Sequence, residues 1–131
     1  MEQHQLIIAV DFDGTIVFDE FPFIGEPVPE SVKILKLLKK EGHKLILLTC
    51  RECDYLVAAC RWLAAQGLEF DAVNENLPGL SWEPRKVLYD ALVDDRAVAC
   101  PMRYMIDGRR CPDWRAVARY ISQMKPVEIV G

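Results

Sequence analysis

The chain has 131 residues, 51% of them hydrophobic and 27% charged, with 16 basic against 20 acidic side chains and a net charge of −4. That length gives one domain with a real core and leaves nothing from which to build a second catalytic domain. The negative balance argues against a dedicated nucleic-acid binder, which neutralises phosphates with clustered Lys and Arg, but it leaves an anionic substrate open because a bound divalent cation reverses the local sign.

Leu6 to Val10 (LIIAV) is a continuous apolar run that stops at Asp11, and it reads as a strand buried on both faces. Between Thr15 and Ser31 there is room only for a flap, carrying Phe18, Phe21 and Phe23 with Pro22, Pro27 and Pro29. Ser31 to Glu41 predicts an amphipathic helix: Val32, Leu35 and Leu38 lie three apart, Ile34 and Leu37 widen the stripe, and Gly42 ends it. Lys44 to Leu48 (KLILL) repeats the strand pattern and stops at Thr49. Asp54 to Gln66 repeats the helix, with Leu56, Cys60 and Leu63 inward and Gly67 as terminator. Phe70 to Val73 and Ala91 to Val93 are short strands, Tyr104 to Ile106 is a candidate fifth strand, and Asp113 to Met124 is a last helix. This alternation predicts an α/β fold, an open parallel sheet covered by helices. In such sheets the ligand site lies at the carboxyl ends of the strands.

No stretch approaches the ~18 apolar residues of a membrane span, and the start, MEQHQ, lacks a signal-peptide pattern, so a soluble cytoplasmic protein is expected. The odd set of Cys50, Cys53, Cys60, Cys100 and Cys111 suits reduced thiols better than a disulfide framework. Cys50-x-x-Cys53 invites a redox reading, but Cys50 directly follows Thr49, and no fourth ligand is spaced for zinc. His4 and His43 read as surface residues, and Trp62, Trp82 and Trp114 as packing anchors.

The predicted strand ends carry Asp11 and Asp13, then Thr49, then Asp94 and Asp95, with Lys86 just upstream of the last. Hard oxygen ligands without imidazole or thiolate suit Mg²⁺. With the metal screening its charge, one carboxylate can attack phosphorus while a second carboxyl two residues away moves protons. Gly14 lets the backbone turn tightly beside a phosphate, and Thr49 with neighbouring backbone N–H groups can hold its oxygens.

Asp11-Phe12-Asp13-Gly14-Thr15 after an apolar strand resembles the first motif of the haloacid dehalogenase superfamily phosphatases. Thr49 in LLTCR is similar to their second motif, Lys86 to their third and Asp94-Asp95 to their fourth, so the likeness runs from Leu6 to Arg96. The resemblance implies a three-layer α/β/α Rossmann-like parallel sheet. It implies Asp11 as a nucleophile that becomes a phosphoaspartate, Asp13 as general acid and base, Thr49 as phosphoryl ligand and Lys86 as the orienting cation. It places Mg²⁺ on the Asp11 and Asp94 carboxylates and the Asp13 backbone carbonyl, with Asp95 acting directly or through water. Gly14, Thr15, Cys50 and Arg51 border the phosphate and read as substrate contacts, although Arg51 could equally pair with Glu52 or Asp54. Asn74 either faces the crevice or caps a turn, and Arg103, Arg109 and Arg110 read as a solvated basic face.

Lys86 runs almost straight into the last strand, a short spacing shared with the deoxyribonucleotidase branch and with small capless members; Arg85 is the alternative cation. The short flap implies a capless member, which acts on large substrates or uses a second subunit as a lid. The expectation is therefore a Mg²⁺-dependent phosphohydrolase of small-molecule phosphomonoesters, with no membrane and no specific nucleic-acid partner. The alternatives are a 5′-nucleotidase-type activity on nucleoside monophosphates, or a catalytically silent phosphate- or partner-binding domain.

Overall fold

The computed structural model describes residues 4–126. The apolar runs form four parallel strands: β1 (Ile7–Val10), β4 (Lys44–Leu47), β5 (Ala72–Val73) and β6 (Ala91–Val93), in the order β5-β4-β1-β6. Between β1 and β4 lie a hairpin, β2 (Val17–Glu20) with β3 (Phe23–Pro27), and the helix α1 (Ser31–Lys40). Helix α2 (Cys53–Ala65) joins β4 to β5. After β6 come a second hairpin, β7 (Met102–Tyr104) with β8 (Arg110–Pro112), and helix α3 (Trp114–Gln123). The described residues thus form a mixed α/β fold with a four-stranded parallel sheet and three helices. Among the described residues, no helix is long and apolar enough to cross a membrane.

Register places the site. Val10 pairs with Leu47 on one side and with Val93 on the other, so the three strands end level. The ladder continues one step past them: Leu48 N donates to Val10 O at 2.9 Å and Asp11 N donates to Val93 O at 3.0 Å. Asp11, Thr49 and Asp94 therefore leave the sheet along one edge. Beneath them, Ile8, Val10, Leu45 and Leu47 share a buried cluster with Leu35 and Leu38 of α1, Leu63 of α2, and Val117 and Ile121 of α3. Asp113 caps α3, its carboxylate accepting from Ala116 N at 3.2 Å.

Three expectations are corrected. Tyr104 to Ile106 is not a fifth strand of the parallel sheet: β7 pairs antiparallel with β8 in a hairpin of its own, and Ile106 is exposed. The cause is local, because Asp107-Gly108 is a hairpin turn, with Gly108 at φ 90° and Met105 N bonded to Arg109 O. His43 is buried rather than a surface residue; its Nδ1 accepts from Leu6 N at 3.0 Å and ties the start of β1 to the loop before β4. Trp82 is exposed and anchors no core, whereas Trp62 meets Phe12 edge to face and Trp114 is fully buried.

Candidate active site

The strand ends and the first hairpin enclose a crevice of about 360 Å³, lined by Asp11, Asp13, Thr49, Cys50, Arg51, Asp94, Asp95 and Arg96, with Asp19 and Phe21 from the hairpin. A larger groove of about 710 Å³ between β6 and α3 is lined without any carboxylate or cation, so the reactive groups belong to the smaller crevice.

Asp11, Asp94 and Asp95 each bring a carboxylate oxygen to within 4.8 Å of the others. Such crowding opposes ionisation. Burial pushes the Asp11 carboxyl up to about 7, with the Asp94 charge next and Asp95 adding to it, against the opposing hydrogen bond from the Phe12 backbone. Burial and then Asp94 also raise Asp95. An all-oxygen donor set whose members repel one another fits a hard divalent cation, which relieves that repulsion.

Thr15 is fully buried beneath the cluster. Its Oγ1 accepts from Asp95 N at 3.0 Å and faces Asp95 Oδ1 at 3.3 Å and Asp11 Oδ2 at 3.5 Å. The Thr15 carbonyl accepts from Trp114 Nε1 at 3.0 Å. Thr15 thus positions the carboxylates and is too deep to touch substrate, contrary to the sequence reading. Gly14 sits at φ 86°, where a Cβ would lie 2.6 Å from Asp95 Oδ2. The site needs glycine there both for its backbone conformation and for room beside the carboxylate.

Arg51 is also corrected. It is 2% exposed and pairs neither with Glu52 nor with Asp54: Nε donates to Asp13 Oδ2 and Nη2 to Asp13 Oδ1, both at 2.7 Å. Asp13 therefore lines the crevice with its carboxylate held by a guanidinium, while Asp11, Asp94 and Asp95 form the cation-suited group. Thr49 is fixed from both sides. Asn74, in the left-handed region at φ 53°, accepts from Thr49 N at 2.9 Å and donates to Thr49 O at 3.0 Å, and Arg51 N donates to Thr49 Oγ1 at 3.1 Å. Asn74 thus clamps a backbone turn and does not line the crevice.

Lys86 is not brought to the site. It is exposed, as is Arg85, and neither lines the crevice. Residues 75–90 carry no helix or strand. The Asn76 side chain gathers that loop, donating to Lys86 O at 3.1 Å and accepting from Leu88 N at 2.6 Å. Among the described residues, the cation that lines the crevice besides Arg51 is Arg96, which follows the Asp94-Asp95 pair directly in sequence, an adjacency that points to it. Cys50 lines the crevice, and Cys50 and Cys53 are exposed free thiols.

A divalent cation held by this cluster would need it ionised, so the midpoint of thermal unfolding is expected to rise more on adding Mg²⁺ at pH 8 than at pH 5.5. The raised Asp11 sets the direction: below about 7 the cation competes with a proton on that carboxyl, and above it the site is free to bind. Equal shifts at both pH values would mean that the cation binds elsewhere.

No protein-family model and no curated protein matches the sequence. The chain is similar to the solved structure of a conserved protein from Bacteroides thetaiotaomicron, at 42% identity, covering 90% of each chain with a TM-score of 0.75. At that identity and coverage, the chain belongs to the same family as this conserved Bacteroides protein.

Proposed function

We propose that the protein is a Mg²⁺-dependent phosphohydrolase of the haloacid dehalogenase type, a capless member with that superfamily's three-layer α/β/α sheet. The observation that carries this reading is the convergence of Asp11, Asp94 and Asp95 at the ends of β1 and β6, with Thr49 lining the same crevice just beyond β4. When bound, Mg²⁺ would neutralise the three carboxylates and the phosphoryl oxygens, so that an anionic nucleophile can approach an anionic ester. Asp11, Asp94 and Asp95 are the residues that would hold it.

Asp11 supplies the nucleophile. One carboxylate oxygen forms a bond to phosphorus as the ester P–O bond breaks, and the leaving oxygen takes a proton from Asp13. Water then attacks the phosphoaspartate, gives its proton back to Asp13, and releases phosphate and the Asp11 carboxylate. The Thr49 hydroxyl, at the crevice, would contact the phosphoryl oxygens, and Arg96 would take the place expected of Lys86.

The test is hydrolysis of p-nitrophenyl phosphate and of a panel of sugar phosphates and nucleoside monophosphates. Turnover is expected with Mg²⁺ and not with EDTA, and activity that survives EDTA would overturn the mechanism. A second reading, a phosphate- or partner-binding domain without turnover, is favoured by the exposure of Lys86 outside the crevice. It gains if no ester in the panel is cleaved while inorganic phosphate binds in the presence of Mg²⁺.

A further inference from the structure

The buried guanidinium of Arg51 uses every donor it has. Beyond the two bonds to Asp13, Nη2 donates to Phe23 O at 2.8 Å, and Nη1 donates to Pro22 O at 3.2 Å and Tyr55 O at 3.4 Å. A guanidinium has five N–H groups, and all five are engaged. Its carbon lies 5.2 Å from the centroids of both the Phe12 and Phe21 rings. The partners come from the loop after β1, the tip of the β2-β3 hairpin and the first turn of α2.

Fork geometry fixes a carboxylate in plane as well as in place. Each Asp13 oxygen spends one lone pair on Arg51 and keeps another, and the side chain still lines the crevice. The same guanidinium holds two carbonyls of the hairpin tip, so the tip and the carboxylate are fixed as one unit. A hairpin secured in this way is a wall of the crevice, and Phe21, which lines it, is presented from a fixed position.

We propose that Arg51 is a positioning residue for proton transfer by Asp13, holding its carboxyl group in plane so that the proton it carries on the side away from the guanidinium points at the leaving oxygen, and locking the hairpin tip to the same geometry. This rests on the phosphohydrolase reading. A lysine cannot replace the fork, because one ammonium cannot bond both carboxylate oxygens in plane while reaching two carbonyls of the tip.

The test compares two esters on the intact protein with Mg²⁺: p-nitrophenyl phosphate, whose leaving group departs without a proton, and glycerol 3-phosphate, whose alkoxide needs one. In Arg51→Met, kcat on glycerol 3-phosphate is expected to fall by about 100-fold, and on p-nitrophenyl phosphate by less than about 10-fold. Arg51→Lys is expected to show the same asymmetry at a smaller size, and it carries the comparison if the methionine variant does not fold. In an Asp13→Asn background, replacing Arg51 is expected to add little further loss on glycerol 3-phosphate, because the two residues act as one unit. Equal losses on both esters, or full additivity with Asp13→Asn, would assign Arg51 a purely structural role and overturn the proposal. A wild type that hydrolyses no ester of the sugar-phosphate and nucleotide panel overturns the phosphohydrolase reading itself, a result decided before any Arg51 variant is made; an alkyl ester of that panel that is cleaved replaces glycerol 3-phosphate if the latter is not.

Discussion

Asp11→Asn is expected to abolish phosphoester turnover, by a factor on the order of 10⁴ or more, while making the metal-free protein more stable at pH 8. Both effects come from the one buried carboxylate that asparagine removes. Asparagine keeps the shape of the side chain but has no anionic oxygen to attack phosphorus. The stability gain follows from the titration. In the unfolded chain Asp11 ionises near 3.8 and in the folded protein near 7, so across that window the folded state holds a proton that the unfolded state has released. Stability therefore falls as pH rises from about 4 to about 7, and above 7 the folded state carries the whole cost of an ionised Asp11 beside Asp94 and Asp95. Asparagine never carries it. Screened by solvent at a half-buried position, the difference at pH 8 is about 1–2 kcal/mol, and it vanishes below about pH 4. Urea denaturation of both proteins in EDTA at pH 8 and pH 4 checks this. A variant that is less stable than wild type at pH 8 would mean that the three carboxylates do not repel one another in solution. With saturating Mg²⁺ the order is expected to reverse, because the wild type gains binding energy that the variant has partly lost.

The parallel strands were legible because each is an apolar run ended by a polar residue, and register then carries Asp11, Thr49 and Asp94 to one edge. The side chains that build the site from behind were not. Thr15 looks in sequence like a member of a phosphate-binding turn, and only the packing of α3 under the sheet shows its hydroxyl facing Asp95 and its carbonyl taken by Trp114, 99 residues away. Arg51 has acidic neighbours at Glu52 and Asp54, yet its partner is Asp13, 38 residues distant. Charge in a sequence says that a residue needs a partner, and the fold chooses which one. Lys86 shows the opposite failure, since a motif spacing fixes distance along the chain, and a loop without regular structure need not point the side chain inward. The Tyr104 to Ile106 expectation failed for a nearby reason, the turn chemistry of Asp107-Gly108, which the sequence did contain.

The other large effect is on the fold, and it reaches the site. Trp114→Ala is expected to lower stability by about 3–5 kcal/mol, the range for emptying a fully buried aromatic position. In a domain whose whole stability is about 5–15 kcal/mol, that leaves a substantial unfolded population at 37 °C. Trp114→Phe separates packing from polarity: it fills most of the volume and removes the indole N–H that satisfies Thr15 O. A buried carbonyl left without a donor costs about 1–3 kcal/mol. The cost is not confined to stability, because the same residue presents its hydroxyl to the Asp95 backbone N–H and faces the Asp11 and Asp95 carboxylates. Once its carbonyl is free to seek another donor, Thr15 no longer holds the Asp11 and Asp95 carboxylates at one spacing, and a cation bound between them and Asp94 would be the first thing to feel it. Trp114→Phe is therefore expected to remain folded at 25 °C and to bind Mg²⁺ about tenfold more weakly, a change of ~1.4 kcal/mol, read from the dependence of the unfolding midpoint on Mg²⁺ concentration. If the phenylalanine variant loses stability but binds the cation as tightly as wild type, Thr15 is held by the carboxylates rather than holding them, and the link from α3 to the crevice ends at its backbone.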